Sequence, residues 1–158
     1  MNSEKFSSGP SRALPNWILA SFLFVSFAGF ADATYLAVKH YTGTPLNCSI
    51  FEGCEKVTTS PYATLLGVPL GLFGAVYYLA ILLASIAYLD TGREKIIFYT
   101  AYSTIVGLLA SAWFVYLQLF VIKAICPYCM ASAGTSMILF ALGMLVLRHH
   151  RTRSGDSR

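Results

Sequence analysis

Four stretches of this 158-residue chain, 16–38, 67–89, 96–122 and 124–147, contain one formally charged residue between them, Asp32. A helix needs about 20 mostly apolar residues to cross the hydrocarbon of a bilayer. All four stretches pass that test. In hydrocarbon every backbone N–H and C=O must be satisfied within the segment, so each stretch is expected to be a helix. The stretches are solidly apolar and do not alternate as barrel strands do. The expected fold is therefore all-α: an integral membrane four-helix bundle. Composition agrees. Hydrophobic residues make up 56% and charged residues 11%, against about 25% charge in a soluble domain. A soluble enzyme, a disordered chain and a nucleic-acid-binding module are excluded, and no nucleic acid is expected as a partner. The net charge of +4 matters less than where the charges fall.

Lys5, Arg12, Arg93, Lys95, Arg148, Arg151, Arg153 and Arg158 fall on one side of an even-numbered bundle. Lys39, Lys56 and Lys123 fall on the other. Cytoplasmic segments carry the Lys/Arg excess. Both termini are thus expected in the cytoplasm of a bacterial or archaeal cell, with the 39–66 loop and the 122–126 turn outside. Residues 1–15 read as a flexible tail, 16–147 as the membrane domain, and 148–158 as a basic tail, its last ten residues flexible like the first. A rival reading makes 17–30 the apolar core of a signal peptide, with Ala31-Asp32-Ala33 as its cleavage pattern. Apolar character resumes at Tyr35-Leu36-Ala37-Val38, and cleavage would leave three spans, which speaks against it.

All four cysteines fall on the outward side. Cys48 and Cys54 lie in the long 39–66 loop, and Cys126 and Cys129 form Cys-Pro-Tyr-Cys where the fourth span begins. Long loops in compact domains are usually functional, and the outer side is where disulfides persist. Pro127 suits a first helical position. That makes Cys126 the N-cap and puts Cys129 in the first turn, on the same face. Free N–H groups and the helix dipole there stabilise a thiolate. Two bland readings stand beside this one. Two structural disulfides could staple the outer surface. A four-cysteine zinc site is conceivable, but C-x5-C is poor zinc spacing, so no metal is expected. Two pairs on one face also suggest a relay. The loop pair can meet a partner in water, the membrane pair can meet something in lipid, and thiol–disulfide exchange links them. The obvious lipid-soluble acceptor is a quinone, ubiquinone or menaquinone.

The arrangement resembles the vitamin K epoxide reductase family in its prokaryotic form. The matching residues are Cys48…Cys54, Ser60 six residues on, Leu72-Phe73-Gly74 in the second span, and Cys126-Pro127-Tyr128-Cys129 opening the fourth. The resemblance covers roughly 16–147. Another family of membrane thiol oxidases, the DsbB-like one, also has four spans and two pairs, but in the reverse order. The resemblance implies a quinone-dependent thiol–disulfide oxidoreductase that supports disulfide bond formation. Cys48 would exchange with a thioredoxin-like (DsbA-like) protein, Cys54 would attack Cys126, and Cys129 would react with the quinone. Ser60 would lie on a half-helix, about 58–64, that lids the quinone pocket. Many bacterial relatives are fused to a thioredoxin-like domain; here a separate partner is expected. Animal relatives carry an Asn near Leu70 and a Tyr at the position of Ala133. Those departures favour quinone reduction over epoxide chemistry.

Phe73, Phe114 and Tyr62 are pocket candidates by this resemblance and their outward positions. Gln118, about a turn from the outer end of the third span, could donate to a quinone carbonyl or bond another helix. Asp32 is readable as snorkelling or paired, or as handling protons. Gly67, Gly71 and Gly74 suit close helix packing. His40, His149 and His150 show no metal spacing.

Overall fold

The computed structural model describes residues 14–43 and 53–156. Four of its helices are long and apolar enough to cross a membrane. They are α1 (Asn16–Thr42), α3 (Leu70–Thr91), α4 (Glu94–Tyr116) and α5 (Pro127–Asp156), with a one-and-a-half-turn helix α2 (Gly53–Thr58) between the first two. In the ring of spans, α1 packs on α3 and α5, and α4 on α3 and α5. Every neighbouring pair is antiparallel. The long helices carry apolar residues on all faces, as expected where lipid replaces water. Phe24, Phe27, Tyr99, Val106 and Leu109 face outward, while Phe22, Tyr78, Tyr88 and Leu139 fill the centre.

The expected span 16–38 extends to Thr42, because Lys39 and His40 are tolerated in a last turn. Gly43 stops it, with φ of 61° and its N–H on the His40 carbonyl, the left-handed stop that glycine makes without strain. The chain passes through 31–33 as unbroken helix, with Ala33 buried.

The second span starts at Leu70, not Gly67. Residues 64–69 instead form a small antiparallel hairpin, Thr64–Leu65 (β1) with Val68–Pro69 (β2), Thr64 opposite Pro69. Its two turn residues, Leu66 and Gly67, both have positive φ, as a two-residue turn of this hand requires. Gly67 therefore serves the turn and no helix contact. Gly71 does serve one: a Cβ there would lie 2.8 Å from the Ala37 nitrogen and 3.1 Å from the Ala33 oxygen, so α3 and α1 touch backbone to backbone. Gly74 packs on the Ala33 methyl.

The half-helix placed at 58–64 is split. Helix α2 ends at Thr58 and a 3-10 turn covers Pro61–Ala63. Pro61 drives Ser60 into an extended conformation, φ −65° and ψ 153°, because the ring crowds an α conformation in the residue before it. The third span ends in a π turn, Leu117–Ile122, followed by Lys123 with φ of 52°. Helix α5 continues to Asp156, so Arg148, Arg151 and Arg153 lie on helix, and the expected flexible last ten residues are helical as far as the structure describes them. Residues 1–13 and Cys48 lie outside the described residues.

One polar cluster ties the centre of the bundle. The Tyr78 hydroxyl, fully buried, lies 2.7 Å from the Ser132 carbonyl oxygen and 2.8 Å from the hydroxyls of Thr135 and Ser136. Cross-helix bonds of this kind hold helices together where there is no hydrophobic drive between them.

Candidate active site

The site occupies the end of the bundle where α1 and the π turn finish and α3 and α5 begin. Pro127 opens α5, leaving Cys126 immediately before it. The Cys126 carbonyl accepts from the Met130 N–H at 3.0 Å, and its sulfur accepts from the backbone N–H groups of Tyr128 and Cys129. The N-cap expected from sequence is therefore built from a cysteine. Cys126 is fully buried, and its thiol is lowered to about 7 from the ordinary 9.0. The largest cause is a side-chain hydrogen bond with Cys129; the two backbone N–H groups add to it, while desolvation and the Asp32 charge oppose it.

What positions Cys126 from behind is the π turn. The Gln118 backbone oxygen accepts from the Lys123 N–H that closes the turn and also from the Ala124 N–H at 3.1 Å. The Gln118 side-chain oxygen accepts from the Cys126 N–H at 3.0 Å. Gln118 is buried, so both its backbone and its amide fasten the 123–126 link. A π turn often marks a functional position.

Helix α2 lies against that link. Cys54 and Val57 pack with Cys126 into one buried cluster, edged by Ile122, Ala124, Tyr128 and Cys129. The approach is close because residue 53 has no side chain: a Cβ on Gly53 would lie 2.5 Å from the Ile125 oxygen and 2.9 Å from its nitrogen. Cys54 is engaged in a disulfide, whereas Cys126 and Cys129 are free thiols.

Beneath the cysteines lies a cavity of about 350 Å³. Its wall includes Cys129 and all five residues that sequence nominated around a quinone: Ser60, Tyr62, Phe73, Phe114 and Gln118. Leu70 and Ala133 line it too. Ser60 caps the 3-10 turn, and its hydroxyl donates to the Val57 carbonyl at 2.7 Å, which binds the cavity lip to α2. Tyr62 and Phe73 are about half exposed, at the open edge. Cys129 is part of the wall and Cys126 is not.

Two residues that sequence did not single out belong to this description. Gly53 carried no signal, since its role depends on a contact 72 residues away in the chain. Tyr77 lines the cavity, and its hydroxyl is buried without a hydrogen-bond partner. It sits over Gly107, where any side chain would strike it. Among the described residues no group of three His, Cys, Asp or Glu side chains comes together as metal ligands would.

Compared with protein-family models, residues 20–144 match the one described as the vitamin K epoxide reductase family. A comparison with curated proteins gave no significant match.

Proposed function

The chain belongs to the vitamin K epoxide reductase family, a multi-pass membrane redox enzyme of the general thiol–quinone type, and we propose that it oxidises a thioredoxin-like protein and passes the electrons to a membrane quinone. The observation that carries this reading is the position of Cys129. Its sulfur is in the wall of an apolar cavity between the spans, while its partner Cys126 is packed behind it against Cys54. A route from water to lipid needs that order.

In the first step, a thiolate of the partner attacks the loop disulfide at Cys48. Resolution leaves the partner oxidised and Cys48 and Cys54 as thiols. Cys54 then attacks Cys126 in an inner disulfide, and Cys129 leaves as the thiolate. Cys48 closes again on Cys54, which releases Cys126 as a thiol. The pattern in this structure, Cys54 bridged and the inner pair reduced, corresponds to the stage reached after this hand-over. The inner dithiol then gives two electrons to the quinone, which supplies the redox chemistry from its ring. The attacking and leaving sulfurs need depressed pKa values to exchange quickly, and Cys126 has one.

The cavity suits a quinone head group. Phe73, Phe114 and Leu70 supply apolar faces. The Tyr77 hydroxyl is a buried donor lacking an acceptor, a condition a ring carbonyl would relieve. The charge bias favours an orientation with the cysteine end outside the cell and both termini in the cytoplasm. The test is oxidation of a dithiol thioredoxin-like protein in membranes with added quinone. Wild type is expected to turn over only when quinone is present, and Cys129→Ala to lose turnover. Full activity in Cys129→Ala would refute the assignment of that sulfur.

A further inference from the structure

Asp32 is the one charged residue within the four apolar stretches, and the reaction sequence above gives it no work. It lies ten residues before the end of α1, about 15 Å at 1.5 Å per residue. A two-carbon side chain does not span that to reach the aqueous boundary. One carboxylate oxygen is buried with no hydrogen-bond partner. Burying a carboxylate in this way is costly, so a purely structural residue at this place would have been expected to carry a partner.

The surroundings say what it faces. Asp32 and Tyr35, three residues apart, share a face of α1. The Tyr35 ring packs 5.2 Å from the Tyr128 ring in the first turn of α5. Lys39 is one turn further out, with its ammonium 5.7 Å from the Tyr35 ring centre. This side of α1 therefore presents Asp32 to the start of α5, where Cys126 and Cys129 stand. The titratable groups on this side are Tyr35 and Lys39 on α1, Tyr128 and Cys129 on α5, and Cys126 just before α5. The Asp32 charge opposes thiolate formation at Cys126, so the carboxylate is within electrostatic reach of that sulfur.

We propose that the Asp32 carboxylate is the proton acceptor of the Cys126–Cys129 pair. This rests on the thiol–quinone reading. When the dithiol is oxidised, two S–H bonds break and one S–S bond forms, and two electrons go to the quinone. The proton of the first thiol to ionise moves to the carboxylate. It is then given up, with the proton of the second thiol, to the two quinone oxygens. The quinol departs and Asp32 is again a carboxylate.

The experiment uses the full chain in detergent, reduced and without oxygen, as wild type, Asp32→Asn and Asp32→Glu. The rate of alkylation of Cys126 and Cys129 by iodoacetamide is followed against pH with no quinone present, using mass spectrometry to separate the two sulfurs. Turnover with quinone and a dithiol protein is measured in parallel. Asp32→Asn removes the opposing charge, so the Cys126 midpoint should fall by about half a pH unit, about threefold in rate at a fixed acidic pH. Its turnover should nevertheless drop about tenfold or more, as when a proton acceptor is lost. Asp32→Glu should keep the midpoint and recover most of the turnover. An unshifted midpoint in Asp32→Asn, or wild-type turnover in that variant, overturns the proposal. Slow turnover with an unshifted midpoint means a structural role alone and overturns it as well. If wild type itself fails to react with quinone, the thiol–quinone reading fails, while the alkylation series still reports on Asp32.

Discussion

Substituting Gly53 by Ala isolates the hand-over between the two cysteine pairs. The new methyl carbon would be placed 2.5 Å from the Ile125 oxygen and 2.9 Å from its nitrogen. Both atoms are backbone, in the link fixed by Gln118, so no flexible end can turn aside. Ordinary carbon contacts begin at about 3.5 Å, so α2 must retreat by about 1 Å. Cys54, the next residue, retreats with it and away from Cys126. A misplacement of about 1 Å can cost about 10²-fold in a step that depends on approach of the reacting atoms. The assay follows formation of the Cys54–Cys126 crosslink by an added mild thiol oxidant (diamide), which takes up the two electrons, in a Cys48→Ala, Cys129→Ala background, with and without Gly53→Ala. Crosslinking should be about 10- to 100-fold slower with the added methyl. Quinone reduction by an inner pair reduced with a small dithiol should fall much less than crosslinking, because Cys129 reacts without Cys54, although Val57 and Thr58 of α2 line the cavity. Equal crosslinking rates would refute the argument that glycine at 53 sets the sulfur-to-sulfur approach.

Four other expectations follow from the site. Alkylation of reduced Cys126 should rise with pH through about 7, the value to which it is lowered, and replacing Cys129 by Ala should move that midpoint upward by removing the hydrogen bond that depresses it. By linkage, the lowered thiol contributes stability that is complete above 9.0 and lost as pH falls through about 7, so the reduced protein should melt at lower temperature at pH 6 than at pH 9 if other groups are matched by a Cys126→Ala control. Gln118→Leu strands the buried Cys126 N–H at a cost of about 1–3 kcal/mol, to be read as a fall in melting temperature and in crosslinking rate together. Tyr77→Phe should raise the quinone KM several-fold and leave the KM for the dithiol partner unchanged; an unaltered quinone KM would remove Tyr77 from the binding account.

The parts of the fold visible in sequence are those set by local chemistry. Four apolar stretches can only be satisfied as helices in lipid, and Pro127 made the N-cap geometry of Cys126 and Cys129 readable. Ser60, Tyr62, Phe73 and Phe114 were placed by resemblance and position, and they do meet around one cavity. What was hidden depends on distant partners. The π turn at 117–122 puts the Gln118 side-chain oxygen on the Cys126 N–H, where sequence had left a bond to a ligand and a bond to another helix both open. Nothing in Leu117–Ile122 announces that turn, which is defined by where the link to α5 must go. Pro61 was in view, but its effect on Ser60 divides the half-helix into α2 and a 3-10 turn. Gly53 and Tyr77 are neither charged nor part of a motif, and their importance comes from Ile125 and Gly107 across the bundle.

The central claim is that electrons pass from sulfur to sulfur and then into the lipid-soluble acceptor, and thiol trapping tests it most directly. Membranes containing the protein are reduced, freed of reductant without oxygen, and quenched with an alkylating tag before and after quinone is added. The account predicts that Cys126 and Cys129 lose their tags within turnover time once quinone is present, and that in Cys54→Ala they do so still while a dithiol partner can no longer restore them. Inner thiols that stay fully tagged in the presence of quinone would contradict it.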